Sequence, residues 1–105
     1  MKLSIAILSF NTKQLTLDCL KSIFDTSVSL DLEVIVIDNA STDGSPQAIK
    51  NQFPQAKLIE NATNTGFTTA NNQGIAQAAG EYILLLNSDT IVKPNAIQTL
   101  ADYLD

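Results

Sequence analysis

A chain of 105 residues with a formal net charge of −5, no histidine and one cysteine can bury a single core. Its charge argues against a nucleic acid polymer or an anionic membrane surface as partner. The lone cysteine excludes an internal disulfide and a cysteine metal cluster, and it fits a reducing, cytoplasmic compartment. With 45% hydrophobic and 16% charged residues the composition is that of a globular domain, and no apolar stretch approaches the ~20 residues that cross a bilayer.

The opening MKLSIAILSF superficially resembles a signal peptide. The apolar run stops at Asn11-Thr12-Lys13-Gln14 without a small-residue cleavage site, so Leu3 to Leu8 reads instead as a first core strand. Leu15, Cys19, Leu20, Ile23 and Phe24 then recur at helical spacing as a broad apolar face, with Cys19 as a small buried hydrophobe. Glu33 to Ile37 is a second strand. Ser45-Pro46 supplies an N-cap and a first-turn proline, Ile49 and Phe53 continue that helix, and Pro54 stops it. Lys57 to Ile59 is a weak third strand. Phe67, Ala70, Gly74, Ile75 and Ala78 form a third helical stripe, small enough for close approach to a sheet. Tyr82 to Leu86 is the fourth strand, and Pro94 opens a fourth helix with Ile97, Leu100, Ala101 and Leu104 on one side.

Continuous apolar runs of this length suit strands buried on both faces, the pattern of parallel sheets. The order βαβαβαβα predicts an α/β fold: a mostly parallel, Rossmann-like sheet of about four strands with helices on both faces. Residues 1–105 read as one domain, and the last helical pattern runs to Asp105 without a capping glycine, as in a domain cut short.

The polar residues collect where those strands end. Open α/β sheets bind ligands beyond the carboxyl ends of their strands. Here those ends carry Ser9-Phe10-Asn11, Asp38 to Gly44, Glu60 to Gly66, and Asn87-Ser88-Asp89, while the opposite-edge loops, Thr26 to Leu30 and Gln77 to Glu81, are short and chemically plain. Each cluster taken alone is explained by turns and caps; together on one edge they indicate a cleft. With no histidine and no serine paired with a base, nucleophilic triads are excluded within this chain. Neither a G-x-x-x-x-G-K-[ST] loop nor a G-x-G-x-x-G turn is present. Carboxylates, amides and a glycine-led helix start at Gly66-Phe67-Thr68 remain, a set suited to a phosphate at a helix N-terminus together with a divalent cation.

The ordered series ILSFN, VIDNASTDGS, NTGFTTANNQGI and GEYILLLNSDT closely resembles the N-terminal, nucleotide-sugar-binding half of family 2 glycosyltransferases of the GT-A fold. That resemblance covers essentially the whole chain and implies that Ser9, Phe10 and Asn11 border the nucleoside and that Asp38 and Asn39 contact base or ribose. It further implies that Asn64 and Gly66 lie along the nucleotide, with Asn71 where many relatives have an arginine. Asn87-Ser88-Asp89 takes the place of an Asp-x-Asp motif, so Asp89 alone would hold Mg²⁺ or Mn²⁺ bridging the diphosphate, and Asn87 would lie beside the ribose. An acceptor hydroxyl, on a glycan or lipid-linked acceptor, would attack the donor sugar with inversion. The carboxylate base is expected beyond residue 105, so this chain alone would transfer little. The pattern looks most like bacterial polysaccharide transferases, placing the full-length protein in the cytoplasm at the inner face of the cell membrane.

Two other readings compete. One is a catalytically inert fragment or assembly module that pairs through an uncovered sheet edge as a homo-oligomer. The other, a receiver-like signalling domain, is disfavoured because the first strand ends in Ser9-Phe10-Asn11 and not in an acidic pair.

Overall fold

A computed structural model describes residues 3–26 and 31–104 of the chain. Residues 27–30 of the opposite-edge loop, the side chains of Ala101 and Leu104 in the fourth stripe, and Asp105 lie outside the described set. The elements are β1 (Leu3–Ser9), α1 (Lys13–Thr26), β2 (Leu32–Asp38), α2 (Ser45–Gln52), β3 (Lys57–Glu60), α3 (Phe67–Gln77), β4 (Tyr82–Asn87) and α4 (Ala96–Leu104). All strand pairs are parallel, in the order β3-β2-β1-β4, as the alternating pattern requires.

The two central strands carry the core. Ile5, Ile7, Val34 and Val36 face α1 and α2 in one cluster that also takes in Val92 and Ile97, while Ala6, Ile35 and Ile37 face Ala70 of α3 on the other side. Full burial of each such branched side chain is worth roughly 1.5–3 kcal/mol. Cys19 is buried within the first cluster. Its thiol is pushed up to about 11, chiefly by that burial, with the charge of Asp89 adding to it. Gly74 sets the spacing of α3: a Cβ there would stand 2.8 Å from Ile37 Cδ1 and 3.1 Å from Ala6 Cβ.

Several local expectations are corrected. β4 alternates half-buried and exposed residues, so Ile83 and Leu85 face outward; an edge strand with a helix on one face needs only every second side chain apolar. Leu15, Phe67 and Ile75 are also exposed: Leu15 and Phe67 stand in the first turns of α1 and α3, and Ile75 is the residue after Gly74, which meets the sheet. Ser45 is the first residue of α2 and not its cap: Gly44, with φ 82° and ψ 11°, occupies the N-cap, and the Ser45 hydroxyl donates to Asp43 instead. Pro94 lies in a turn before α4, with Asn95 at φ 69°.

The edge at the amino ends of the strands is not chemically plain. The Glu33 carboxylate accepts from Ser4 Oγ at 2.6 Å, from the Ala79 amide at 2.5 Å and from Lys57 Nζ at 2.9 Å. The Gly80 amide in turn donates to Ser4 Oγ at 2.8 Å. One carboxylate thereby ties the α3–β4 connection to β1, β2 and β3. These donors, the Ala79 amide foremost, hold Glu33 down at about 2.

Candidate functional site

In the strand order, β2 and β3 lie on one side of β1 and β4 on the other. The connections leaving β1 and β4 therefore part, and a crevice opens between their carboxyl ends, the switch point at which α/β sheets take ligands. A pocket of about 330 Å³ fills that crevice, lined by Leu8, Phe10, Thr12, Leu15, Phe67, Asn87, Ser88 and Asp89. Phe10 is 46% and Phe67 64% exposed. An aromatic wall just beyond β1 and another from the start of α3 thus face a polar rim at the end of β4, in which Asp89 is the one ionisable group among the described residues.

The sequence-predicted residues divide into two sets. Phe10, Asn87 and Asp89 line the pocket. Asn64 and Gly66 are exposed in the loop before α3, and Asn71 is half-buried on that helix. Asn11 is exposed, at φ 50°. Its backbone amide donates to Ser41 Oγ at 2.9 Å, and its Oδ1 accepts from the Thr42 amide at 2.8 Å. Ser9, Asp38 and Asn39 are buried, and each is engaged by protein groups. Ser9 Oγ accepts from Thr16 Oγ1 at 3.1 Å. The Asp38 carboxylate accepts from the Ser41 amide at 2.9 Å and the Ser41 hydroxyl at 2.7 Å. Asn39 Nδ2 donates to Asn64 Oδ1 at 3.0 Å and the Gly66 carbonyl at 3.3 Å, while its Oδ1 accepts from Asn61 Nδ2 and from the amide and hydroxyl of Thr65.

Asp43 acts as a loop acid. It accepts from the Lys13 amide at 3.0 Å and the Ser45 amide at 3.0 Å, and the Ser45 hydroxyl is the main group holding its carboxyl below the usual range. This ties the β1–α1 loop to the β2–α2 loop. Phe67, Leu15 and Thr12 are pocket residues that the sequence reading missed. Phe67 and Leu15 fit an apolar helical stripe equally well, and the available signal was position: each lies in the first turn of a helix that starts just beyond a strand end.

Helix α3 begins after Gly66, which adopts φ 84°, ψ 169° and contributes no side-chain cap. Leading amides left without a side-chain acceptor suit an anion. Among the described residues no three His, Cys, Asp or Glu side chains gather as a metal cage. A cation at this pocket would rest on Asp89 and draw its remaining ligands from a bound anion and water, the manner in which Mg²⁺ is commonly held against phosphates. The residues present fit that arrangement.

A parallel α/β domain with its pocket at the switch point is a ligand-binding fold of the doubly wound class. Residues 4–105 match the family model described as Glycosyl transferase family 2, and the chain belongs to that family. It is 33% identical over 101 residues to glycosyltransferase GlyG of Streptococcus pneumoniae, covering 93% of this chain and 33% of the relative. To a poly(ribitol-phosphate) β-glucosyltransferase of Bacillus spizizenii it is 35% identical over 102 residues, covering 92% of this chain and 16% of that one. Staphylococcus aureus TarS 1–349 in complex with UDP-GlcNAc superposes with a TM-score of 0.89 at 25% identity, over 100% of this chain and 31% of that one. A Pyrobaculum calidifontis mannosyltransferase in complex with GDP-Man and Mn²⁺ superposes with a TM-score of 0.81 at 30% identity, over 97% of this chain and 31% of that one. The sheet is thus that of the GT-A glycosyltransferases, and the chain spans a third or less of the length of these relatives.

Proposed function

We propose that this chain is the donor-binding half of an inverting glycosyltransferase that moves a sugar from a nucleotide diphosphate sugar to a hydroxyl of a glycan or lipid-linked acceptor in cell-envelope polysaccharide synthesis. The observation that carries the reading is the placement of Asp89 on the rim of a pocket whose other walls are Phe10 and Phe67. Aromatic faces take a planar base. The uncapped start of α3 and the amides of Asn64, Asn71 and Asn87 supply donors for ribose and phosphate oxygens, while Ser9 at the end of β1 and Asn11 just beyond it border the nucleoside and Asp38 and Asn39 at the end of β2 contact base or ribose. The structures of relatives bound to UDP-GlcNAc and to GDP-Man with Mn²⁺ support this choice of ligand.

Asp89 would hold the divalent cation, Mg²⁺ or Mn²⁺, whose chemistry is charge stabilisation of the departing diphosphate. Asp89 also has a second task, to keep one negative charge at the rim so that a diphosphate enters only together with its counter-ion. Among the described residues Asp89 is the carboxylate of the pocket; in this reading it serves the cation, the base comes from outside residues 1–105, and this chain alone transfers little. No helix among the described residues is long and apolar enough to cross a membrane; we place the full-length protein in the cytoplasm, at the inner face of the membrane where a lipid-linked acceptor is presented.

Calorimetric titration of UDP, GDP and dTDP, with and without Mn²⁺, tests the reading. Metal-dependent binding that Asp89→Ala abolishes is expected; no binding at millimolar nucleotide would instead favour an inert assembly module. That second reading has one observation behind it, the outward-facing Ile83 and Leu85 along edge strand β4. Robust sugar transfer by the isolated chain would show that its base lies within residues 1–105.

A further inference from the structure

We infer that Ser22 of α1 is the positioning residue for Asp89: it fixes the chain just beyond the rim and so sets where the carboxylate stands, without touching nucleotide or cation. The inference rests on the donor-binding reading above, and Ser22 itself is not among the residues that line the pocket.

The segment that carries Asp89 is irregular. β4 ends at Asn87 and α4 begins at Ala96, so Ser88 and Asp89 belong to no ladder or helix that would hold them. Two attachments bracket them instead. On the strand side the Thr90 amide donates to the Asn87 carbonyl at 3.1 Å, closing a turn with Ser88 and Asp89 at its centre. On the far side Val92 is held twice. Its side chain is 8% exposed in the cluster that includes Leu20 and Ile23 of α1, and its amide donates to Ser22 Oγ at 2.9 Å across 70 positions of chain.

Ser22 accepts there because its own proton is committed elsewhere. A serine hydroxyl has one proton, and this one goes to the Cys19 carbonyl at 2.7 Å, one turn back along α1. With the donor turned onto the helix, a lone pair is left for the Val92 N–H. An alanine at this position would strip the amide of that acceptor in an apolar neighbourhood.

The spacing makes the attachment positional. Leu15 lines the pocket with Asp89, and Ser22 is seven residues further along the same helix, a rise of about 10 Å on the same side. Asp89 to Val92 is three residues, which reach about 10 Å when fully extended. The tether has little slack, so Val92 held on α1 confines Asp89 to the pocket end of that helix. Released from Ser22, Val92 would keep only its apolar packing, which is not directional, and the carboxylate would be free to leave the point where a diphosphate and its cation meet.

Hydrogen exchange of the free chain tests the attachment without any ligand. Ser22→Ala should speed exchange at the Thr90 and Val92 amides about tenfold and leave the amides of β1 and β2 unchanged. Unaltered protection at Val92, or acceleration throughout the chain, overturns the inference. Thr26→Ala is the control: the Thr26 hydroxyl makes the same kind of bond within α1, to the Ser22 carbonyl at 2.6 Å, and its loss should not move Val92.

UDP affinity with and without Mn²⁺ tests the consequence for Asp89. Ser22→Ala should weaken binding about tenfold with Mn²⁺ and leave metal-free binding unchanged, while Ser22→Thr, which keeps both bonds, should restore it. In the Asp89→Ala background the Ser22 substitution should have no further effect. A serine that only satisfies the Val92 amide would lower stability and leave the affinity of the folded chain as it was; a loss equal with and without metal would mean that Ser22 does not act through Asp89. Either result sinks the inference. Should Ser22→Ala not fold, Ser22→Cys offers a weaker acceptor at similar size, and the same pattern is expected. If the native chain binds no UDP, the donor-binding reading fails, and the exchange pattern still decides whether Ser22 holds the rim.

Discussion

Asn61 and Gln73 exchange two hydrogen bonds, Asn61 Nδ2 donating to Gln73 Oε1 at 2.8 Å and Gln73 Nε2 returning to Asn61 Oδ1 at 2.9 Å. The pair fastens the exit of β3 to the middle of α3. Since Asn61 Nδ2 also serves Asn39, the amides form one connected network behind the pocket. Gln73→Ala leaves the half-buried Asn61 Oδ1 without its donor and should destabilise the chain by about 1–2 kcal/mol. Asn72→Ala, on the exposed side of the same helix, should stay within about 0.5 kcal/mol. Urea denaturation of the two variants checks the contrast, and equal midpoints would show that the pair is dispensable.

Two glycines with positive φ should respond differently to the same substitution. Gly44 is at φ 82°, ψ 11°, the left-handed region that asparagine tolerates, whereas Gly66 is at φ 84°, ψ 169°, which only glycine enters freely. A Cβ on Gly66 meets nothing within 4 Å, so any cost there is backbone strain alone. Gly66→Asn should cost about 1–3 kcal/mol, and Gly44→Asn should cost clearly less. Thermal melts of both variants decide it; a reversed order would refute the assignment of strain to Gly66.

Acid should unfold this protein partly through Glu33. Its carboxyl is lowered from 4.5 to about 2 in the folded state, so above 4.5 it is ionised in both states and its stabilisation is fully present. As pH falls from 4.5 towards 2, the unfolded chain binds a proton that the folded chain still refuses, and up to about 3 kcal/mol is lost. Glu33→Gln should be less stable at neutral pH and show a flatter decline across that window. Urea midpoints at pH 6, 4 and 3 (about these values) would expose a parallel decline in both proteins, which would assign the acid sensitivity elsewhere.

The outward face of β4 should promote self-association. Ile83 and Leu85 are 41% and 46% exposed on a strand with one sheet edge open. Sedimentation velocity over a range of concentrations should show association of the native chain that Leu85→Lys weakens, while UDP binding is unaffected because Leu85 is not among the pocket residues. Concentration-independent monomer behaviour in both would remove the homo-oligomer reading.

What the sequence disclosed follows from which forces are local. The Val34 to Ile37 run of β2 and the stripe through Cys19, Leu20 and Ile23 record periodicities that a single element imposes on itself, and these residues are buried as the pattern implies. Leu84, Leu85 and Leu86 show where that ends. Three identical side chains alternate between half-buried and exposed because burial depends on which neighbour covers each face, and no run of leucines encodes the neighbour. Asp38 and Asn39 show the same limit for polar residues. Their burial is made tolerable by Ser41, Asn64 and Thr65, and Asn64 and Thr65 come from a loop two elements further along the chain. Asp89 was legible because a motif places it at a strand end; Phe67 was not, since a stripe position in a first helical turn reads equally as core.

The pairing of β1 with β4 carries a kinetic consequence. β1 finds β2 through the next helical crossover, but meeting β4 requires the chain to close a far longer loop, as the bond from the Gly80 amide to Ser4 Oγ across 76 positions records. Loop closure of that length costs more chain entropy and is slower to be repaid. The seam that forms late is the one that separates Phe10 from Asp89, so during synthesis three paired strands can be in place while the crevice is still only half walled. Its acidic rim arrives with β4, the fourth of the described strands.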